Sequence, residues 1–216
     1  MQSLVWVHGC FLQAIGWNEI VIGVDDKLGR APYGLRLAVD VSAAMLVFST
    51  GASNIDGEVE CDYTHRMLAE WLETPSARKV FDSYALLAKA RLLYQGARLD
   101  RISMNTAEEI RAAVALCRTN NCDTLWLVSS PGHMPRCLNE ALKIEHDGIN
   151  IYAAPSETNA GGFIPENTII VEHPHRGDDD LTLYMGHHVR RMFKVPLPKR
   201  KEMLTEFSEL LKGYGA

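Results

Sequence analysis

Apolar residues in this chain come in short blocks set between polar turns. Residues 20–24 (IVIGV), 45–48 (MLVF), 125–128 (LWLV), 149–153 (INIYA) and 168–171 (TIIV) are brief, uninterrupted runs rich in β-branched and aliphatic residues. Such runs predict strands buried on both faces. Between them the spacing changes to that of helices. Met67, Leu68, Trp71 and Leu72 mark a helix over 62–72, and Val80, Phe81, Tyr84, Ala85, Leu87 and Ala88 one over 77–93. Ile110, Ala113, Val114 and Leu116 mark a third over 106–118. Further helices are expected over 35–44, from His133 to Lys143, and over 183–193 and 202–212, with a brief extended segment at 101–103 centred on Ile102. Thr106 and Glu109 have the T-x-x-E spacing of a capping box.

Strands alternating with helices predict an α/β fold, a mostly parallel sheet with helices on both faces and extra helices at the C-terminal end. No Ser/Pro/Gly-rich linker divides the chain, so residues 1–216 are expected to form one domain. Residues 4–17 are largely apolar but are interrupted by His8, Gly9 and Gln13. They lack the basic leader of a secretory signal and fall short of the ~20 residues of a spanning helix, so they are assigned to the core.

Hydrophobic content of 47% and charged content of 23% are those of an ordinary globular protein. A net charge of −5 opposes non-specific nucleic-acid binding, which needs a basic face. The late basic cluster Arg190, Arg191, Lys194, Lys199, Arg200 and Lys201 reads as a solvated helix end and loop. Five cysteines, an odd number with no C-x-x-C, point to reduced thiols and a cytoplasmic setting.

The chemistry concentrates after residues 125–128. There Ser129, Ser130, a proline and a glycine lead into His133 and Arg136. A strand feeding a helix through small residues brings backbone N–H groups and polar side chains to the carboxyl edge of a sheet, where open α/β folds bind ligands. His133 suits acid–base work or phosphate contact. Arg136, one turn on, can grip a phosphate or carboxylate with two hydrogen bonds. A serine nucleophile is disfavoured, because the segment is not G-x-S-x-G.

Two more blocks precede this one: Ser49-Thr50-Gly51 with Glu60 opening a helix, and Ser103 to Glu109, containing Asn105 and Thr106. In this order the three blocks resemble the YdcF-like family of domains of unknown function, which also includes the SanA and ElyC envelope proteins. That family shows a strand ending in S-G-G, then S-E-A, N-T-x-E-N and V-T-S-x-x-H-M-x-R. Arg36-Leu37 looks like its early R-L helix start, and the resemblance covers about residues 20–155. The chain departs from the pattern at Ala52, at Cys61 and at Glu109, where the family commonly has Asn; residues 156–216 are divergent.

The resemblance implies a Rossmann-like domain whose site spans several strand ends. It implies a nucleotide-like ligand such as S-adenosylmethionine. His133 and Glu60 are then the expected catalytic pair. Ser49, Thr50, Gly51, Asn105, Thr106, Glu109, Ser129, Ser130, Arg136 and Arg36 are the expected ligand contacts. The expected activity is transfer or hydrolysis at a phosphoryl-type group of a small metabolite. One rival is a binding module that holds nucleotide or S-adenosylmethionine without turnover. Another is a metal-dependent hydrolase using His173 and His175 with Asp178, Asp179, Asp180, His187 and His188, although their spacing matches no strong metal signature. Metal is therefore not expected, and neither is a nucleic-acid partner or a membrane span; the oligomeric state is left open.

Overall fold

The computed structural model describes residues 2–14, 16–146 and 148–158, together with Lys199. All but Lys199 fall in one compact unit, Met1–Thr168. The elements in order are β1 (Ser3–Val7), α1 (Trp17–Val21), β2 (Gly23–Val24), β3 (Lys27–Leu28), α2 (Arg30–Asp40), β4 (Met45–Ser49), β5 (Asn54–Ile55) and β6 (Glu58–Val59). There follow α3 (Glu60–Leu72), α4 (Pro75–Val80), α5 (Tyr84–Gln95), β7 (Arg98–Asp100), α6 (Thr106–Thr119), β8 (Thr124–Ser129), α7 (Met134–Leu142) and β9 (Asn150–Pro155). The strand and helices expected after residue 167 lie outside the described residues.

Five strands form one sheet in the order β7-β4-β1-β8-β9, every neighbouring pair parallel. This is a Rossmann-like α/β arrangement. The strand order reverses at β1, so the crevice between the carboxyl ends of β1 and β8 is the topological switch point.

Alternation along the strands sorts side chains onto two faces. Val5, Val7, Leu46 and Phe48 pack with Ala31, Leu35, Ala38 and Leu68 of α2 and α3. Leu4, Trp6, Val47, Leu125 and Leu127 pack with Ile110, Ala113, Cys117 and Cys137 of α6 and α7. The expectation of helices on both faces is therefore met. Helix α2 lies close against β1, and a Cβ at Gly34 would overlap Val7 Cγ2.

Several element assignments are corrected. Residues 20–24 do not form a buried strand, and the centre of the sheet is β1, in the stretch assigned only to the core, so the resembling region begins after the strand that organises the sheet. Trp17, Ile20 and Val21 share one buried helical face, and Gly23, at φ 124°, turns the chain into the β2–β3 hairpin. Helical spacing here overrides β-branching. Helix α2 starts at Arg30, and its continuation past Asp40 stops near Ser42, at φ 49°.

The expected helix over 77–93 is two helices. Thr74 Oγ1 accepts from the Ala77 amide and Ser83 Oγ from the Leu86 amide, so each has its own N-cap. The extended segment is Arg98–Asp100, which pairs with β4, while Ile102 is left exposed. The N-cap also sits one residue earlier than the T-x-x-E pattern predicts, and the reciprocal bond of a capping box is replaced by one to the amide before the cap. Asn105 Oδ1 accepts from the Glu108 amide at 3.0 Å, and Glu108 Oε2 accepts from the Met104 amide at 2.8 Å. No helix among the described residues is long and apolar enough to cross a membrane.

Candidate functional site

Strand β1 ends in Val7, and the next residue, His8, donates its amide to Val128 O at 2.9 Å. His8 therefore stands at the switch point, 1% exposed. Its Nδ1 lies 2.5 Å from Glu109 Oε2 on α6. Ser49 Oγ, at the end of β4, donates to Glu109 Oε1 at 2.7 Å and receives the Trp6 indole N–H at 3.1 Å. Because α6 is capped by Asn105 and Glu108, Thr106 and Glu109 are free to turn inward; both are buried.

His133, the residue preceding α7, joins the same cluster. One ring nitrogen, Nδ1, is 2.9 Å from Ser129 Oγ and 3.7 Å from Cys137 Sγ; the other, Nε2, is 3.2 Å from Thr106 Oγ1. The two imidazole rings meet edge to face with centroids 6.1 Å apart. Burial by itself would push His8 down, but the facing Cys137 and Glu109 charges raise it from 6.5 to about 10. Burial would raise Cys137, yet His133 and His8 lower it from 9.0 to about 5.

The other face of the sheet contributes Arg30 from the start of α2. Its guanidinium is fully buried and donates to the carbonyls of His8 and Gly9 and, at 2.8 Å, to Ser130 Oγ. Arg30 Nε is buried without a hydrogen-bond partner, and no carboxylate among the described residues pairs with Arg30 within ion-bridge distance. A buried cation without a direct counter-anion is costly.

Glu60 opens α3 but aims at the loop after β1. Its Oε1 accepts from the Cys10 amide and, at 3.4 Å, from Trp17 Nε1; its Oε2 accepts from the Phe11 amide at 2.9 Å and Ser53 Oγ at 2.8 Å. Four donors occupy the acceptor positions of one carboxylate. Burial pushes its pKa up, against the Cys10, Ser53 and Trp17 bonds and the nearby Arg30 charge. This geometry fixes the Gly9–Phe11 loop. It leaves Glu60 no acceptor position to offer a substrate.

Among the residues expected from the sequence, Ser49, Thr106, Glu109, Ser129, Ser130 and His133 reach this edge. Thr50 and Gly51 brace it: Thr50 Oγ1 donates to Ser103 O, and the Gly51 amide donates to the same carbonyl at 3.0 Å. Asn105 serves as a helix cap. Arg136 lies half-buried on the first turn of α7. Arg36 is not brought in; it pairs at the surface with Asp40 and Glu157, at 3.6 and 3.8 Å.

His8, Arg30 and Cys137 join the site although no motif in the sequence singles them out. Each had a signal: a histidine directly after a buried run, an arginine opening a helix, and a cysteine four residues after His133. His173, His175 and the neighbouring acidic residues lie outside the described residues. Among those described, no group of three or more His, Cys, Asp or Glu side chains is arranged to hold a metal ion. No family model matches the chain, and no curated protein or solved structure matches it.

Proposed function

We propose that this chain is a cytoplasmic enzyme that binds a small anionic ligand of nucleotide or phosphorylated-metabolite type between the ends of β1 and β8. The proposed reaction transfers or hydrolyses a phosphoryl-type group. The observation that carries the binding half is Arg30, a fully buried guanidinium at the switch point with no carboxylate paired to it among the described residues. An anion there supplies the missing countercharge, and a planar guanidinium suits phosphate oxygens.

Acid–base work falls to His133, flanked by Ser129, Thr106 and Cys137. Glu60 acts at one remove, by holding the loop whose Gly9 carbonyl receives Arg30. The likeness to YdcF-like domains supports the same reading, since its three blocks meet at one sheet edge. Five free cysteines suit a reducing compartment.

Thermal unfolding with pyrophosphate, AMP, ATP and S-adenosylmethionine tests the binding. A ligand at about a thousand times its Kd stabilises by about 4 kcal/mol. At least one anionic compound should raise Tm for the wild type and not for Arg30→Met. Phosphate release from the compound that binds should then vanish in His133→Gln while binding stays. If none of the compounds shifts Tm, the anion site is wrong. Binding without turnover would instead identify a non-catalytic module.

A further inference from the structure

All five cysteines are buried, yet among the described residues only one faces two imidazoles. Cys10, Cys61, Cys117 and Cys122 are pushed up by burial, Cys61 and Cys117 to about 12. Cys137 moves the other way. It sits in the first turn of α7, where the helix dipole favours negative charge. Its Sγ is 3.7 Å from His133 Nδ1, and His8 lies within electrostatic reach on the same side of the sheet. His8 is anchored by Glu109 at 2.5 Å, and Glu109 by Ser49. His8 Nε2 is buried and has no hydrogen-bond partner, so the end of the ring away from Glu109 is uncommitted. Glu109 on α6, His8 just after β1, Cys137 on α7 and His133 just before α7 thus gather a carboxylate, a thiol and two imidazoles at one edge of the sheet, with Ser49 of β4 holding the carboxylate.

We propose that Cys137 is a covalent nucleophile for a small activated acyl group, with the Glu109-anchored His8 and His133 as its proton acceptors. In the first step the sulfur bonds to the carbonyl carbon of an ester as the bond to the leaving oxygen breaks. The thiol proton, held by the imidazole pair, departs on the alcohol. Water then adds to the thioester carbon, the carboxylic acid leaves, and the thiol is restored. A nucleophile, a base within reach and a group that orients the base are the parts such chemistry requires. Cys137 packs on the α6–α7 face, whereas Arg30 enters from the α2 face, so this chemistry stands or falls independently of the anion site.

The thiol is fully buried, so small neutral probes suit it. The first test is iodoacetamide labelling of the folded protein, mapped by mass spectrometry from pH 6 to 9. Cys137 is expected to label first and at a rate nearly constant across that range. An ordinary thiol accelerates about tenfold per pH unit below its pKa. Para-nitrophenyl acetate should give a burst of one nitrophenolate per chain, with the acetyl group on Cys137 and no burst in Cys137→Ser. Glu109→Gln and His133→Gln should slow labelling at pH 6 by about tenfold and recover by pH 9, as a raised thiol pKa requires. Their circular dichroism melts separate this from loss of fold, and the wild-type pH profile decides without any variant. The proposal fails if Cys137 stays unlabelled in the folded protein, if its rate climbs tenfold per unit, or if the acetyl group sits elsewhere.

Discussion

Glu109 and His8 are separated by 101 positions in the chain, yet their side chains meet at 2.5 Å beneath the switch point of the sheet. The contact ties α6 to the end of β1. Both side chains are almost wholly buried, so neither charge has water to fall back on. Removing one partner of such a pair strands the other. Glu109→Ala should lower unfolding free energy by about 3 kcal/mol or more. Glu109→Gln, which retains an acceptor for Nδ1, should cost less. Urea unfolding of the three proteins at neutral pH measures both, and equal stability of Glu109→Ala and the wild type would remove the pair from any account of the fold.

The same cluster predicts a pH dependence. His8 is raised from 6.5 to about 10, so its stabilising share is complete below 6.5 and fades as pH rises toward 10. Cys137 is lowered from 9.0 to about 5, so its share is complete above 9.0 and fades as pH falls toward 5. Together they give a plateau between 6.5 and 9.0 that declines on both sides. The stability difference between the wild type and Cys137→Ala, followed by urea unfolding at successive pH values, should trace that plateau. A difference independent of pH would mean that the thiol is neutral.

Glu60 holds four donors in a site with no exposure. Glu60→Ala takes the acceptor from the buried Cys10 amide and the buried Trp17 indole N–H, and each buried orphan costs about 1–3 kcal/mol. A loss of about 3 kcal/mol is expected by chemical denaturation. Glu60→Gln keeps one oxygen and should lose less. Were Glu60 chiefly a catalytic acid, Glu60→Ala would instead unfold like the wild type.

At the start of α6 two hydroxyl- or amide-bearing neighbours compete for the cap. Asn105 holds it. Asn105→Ala should therefore cost about 1 kcal/mol in unfolding free energy, the usual loss for a removed N-cap. Thr106→Ala loses a contact to His133 and no cap, so its effect should appear in the site before it appears in helix stability. The reverse order in the two variants would restore the T-x-x-E register.

Gly34 allows α2 to lie against β1. Its Cβ in Gly34→Ala would meet Val7 Cγ2, a β-branched side chain fixed within a central strand. Overpacking of this kind costs about 1–3 kcal/mol even though alanine is the better helix former. Tm should fall. A gain would mean that the helix can lift off the sheet without loss.

The fold class was legible in the residues, because burial on both faces forces uninterrupted apolar runs and covering helices force a 3.6-residue period. Met45–Ser49, Thr124–Ser129 and Asn150–Pro155 stand where such runs predict them. The polar edge after residues 125–128 was legible as well, since small residues between a strand and a helix leave few other structures open. What the pattern misjudged was local. Residues 20–24 carry strand-formers, but the spacing of Trp17, Ile20 and Val21 buries one helical face. Strand β1 was left inside an apolar stretch, because nothing along the chain says which run lies at the centre of the sheet.

Strand order is a tertiary decision. It follows from which faces pack together, and it places Glu109 beside His8, Arg30 beside Ser130, and Thr106 beside His133. Sequence supplied the side chains and the periods that bury them. Only the closing of the sheet determined which buried charges would meet and which, like Arg30, would find no carboxylate among the described residues, because those pairings depend on distances that local spacing does not encode.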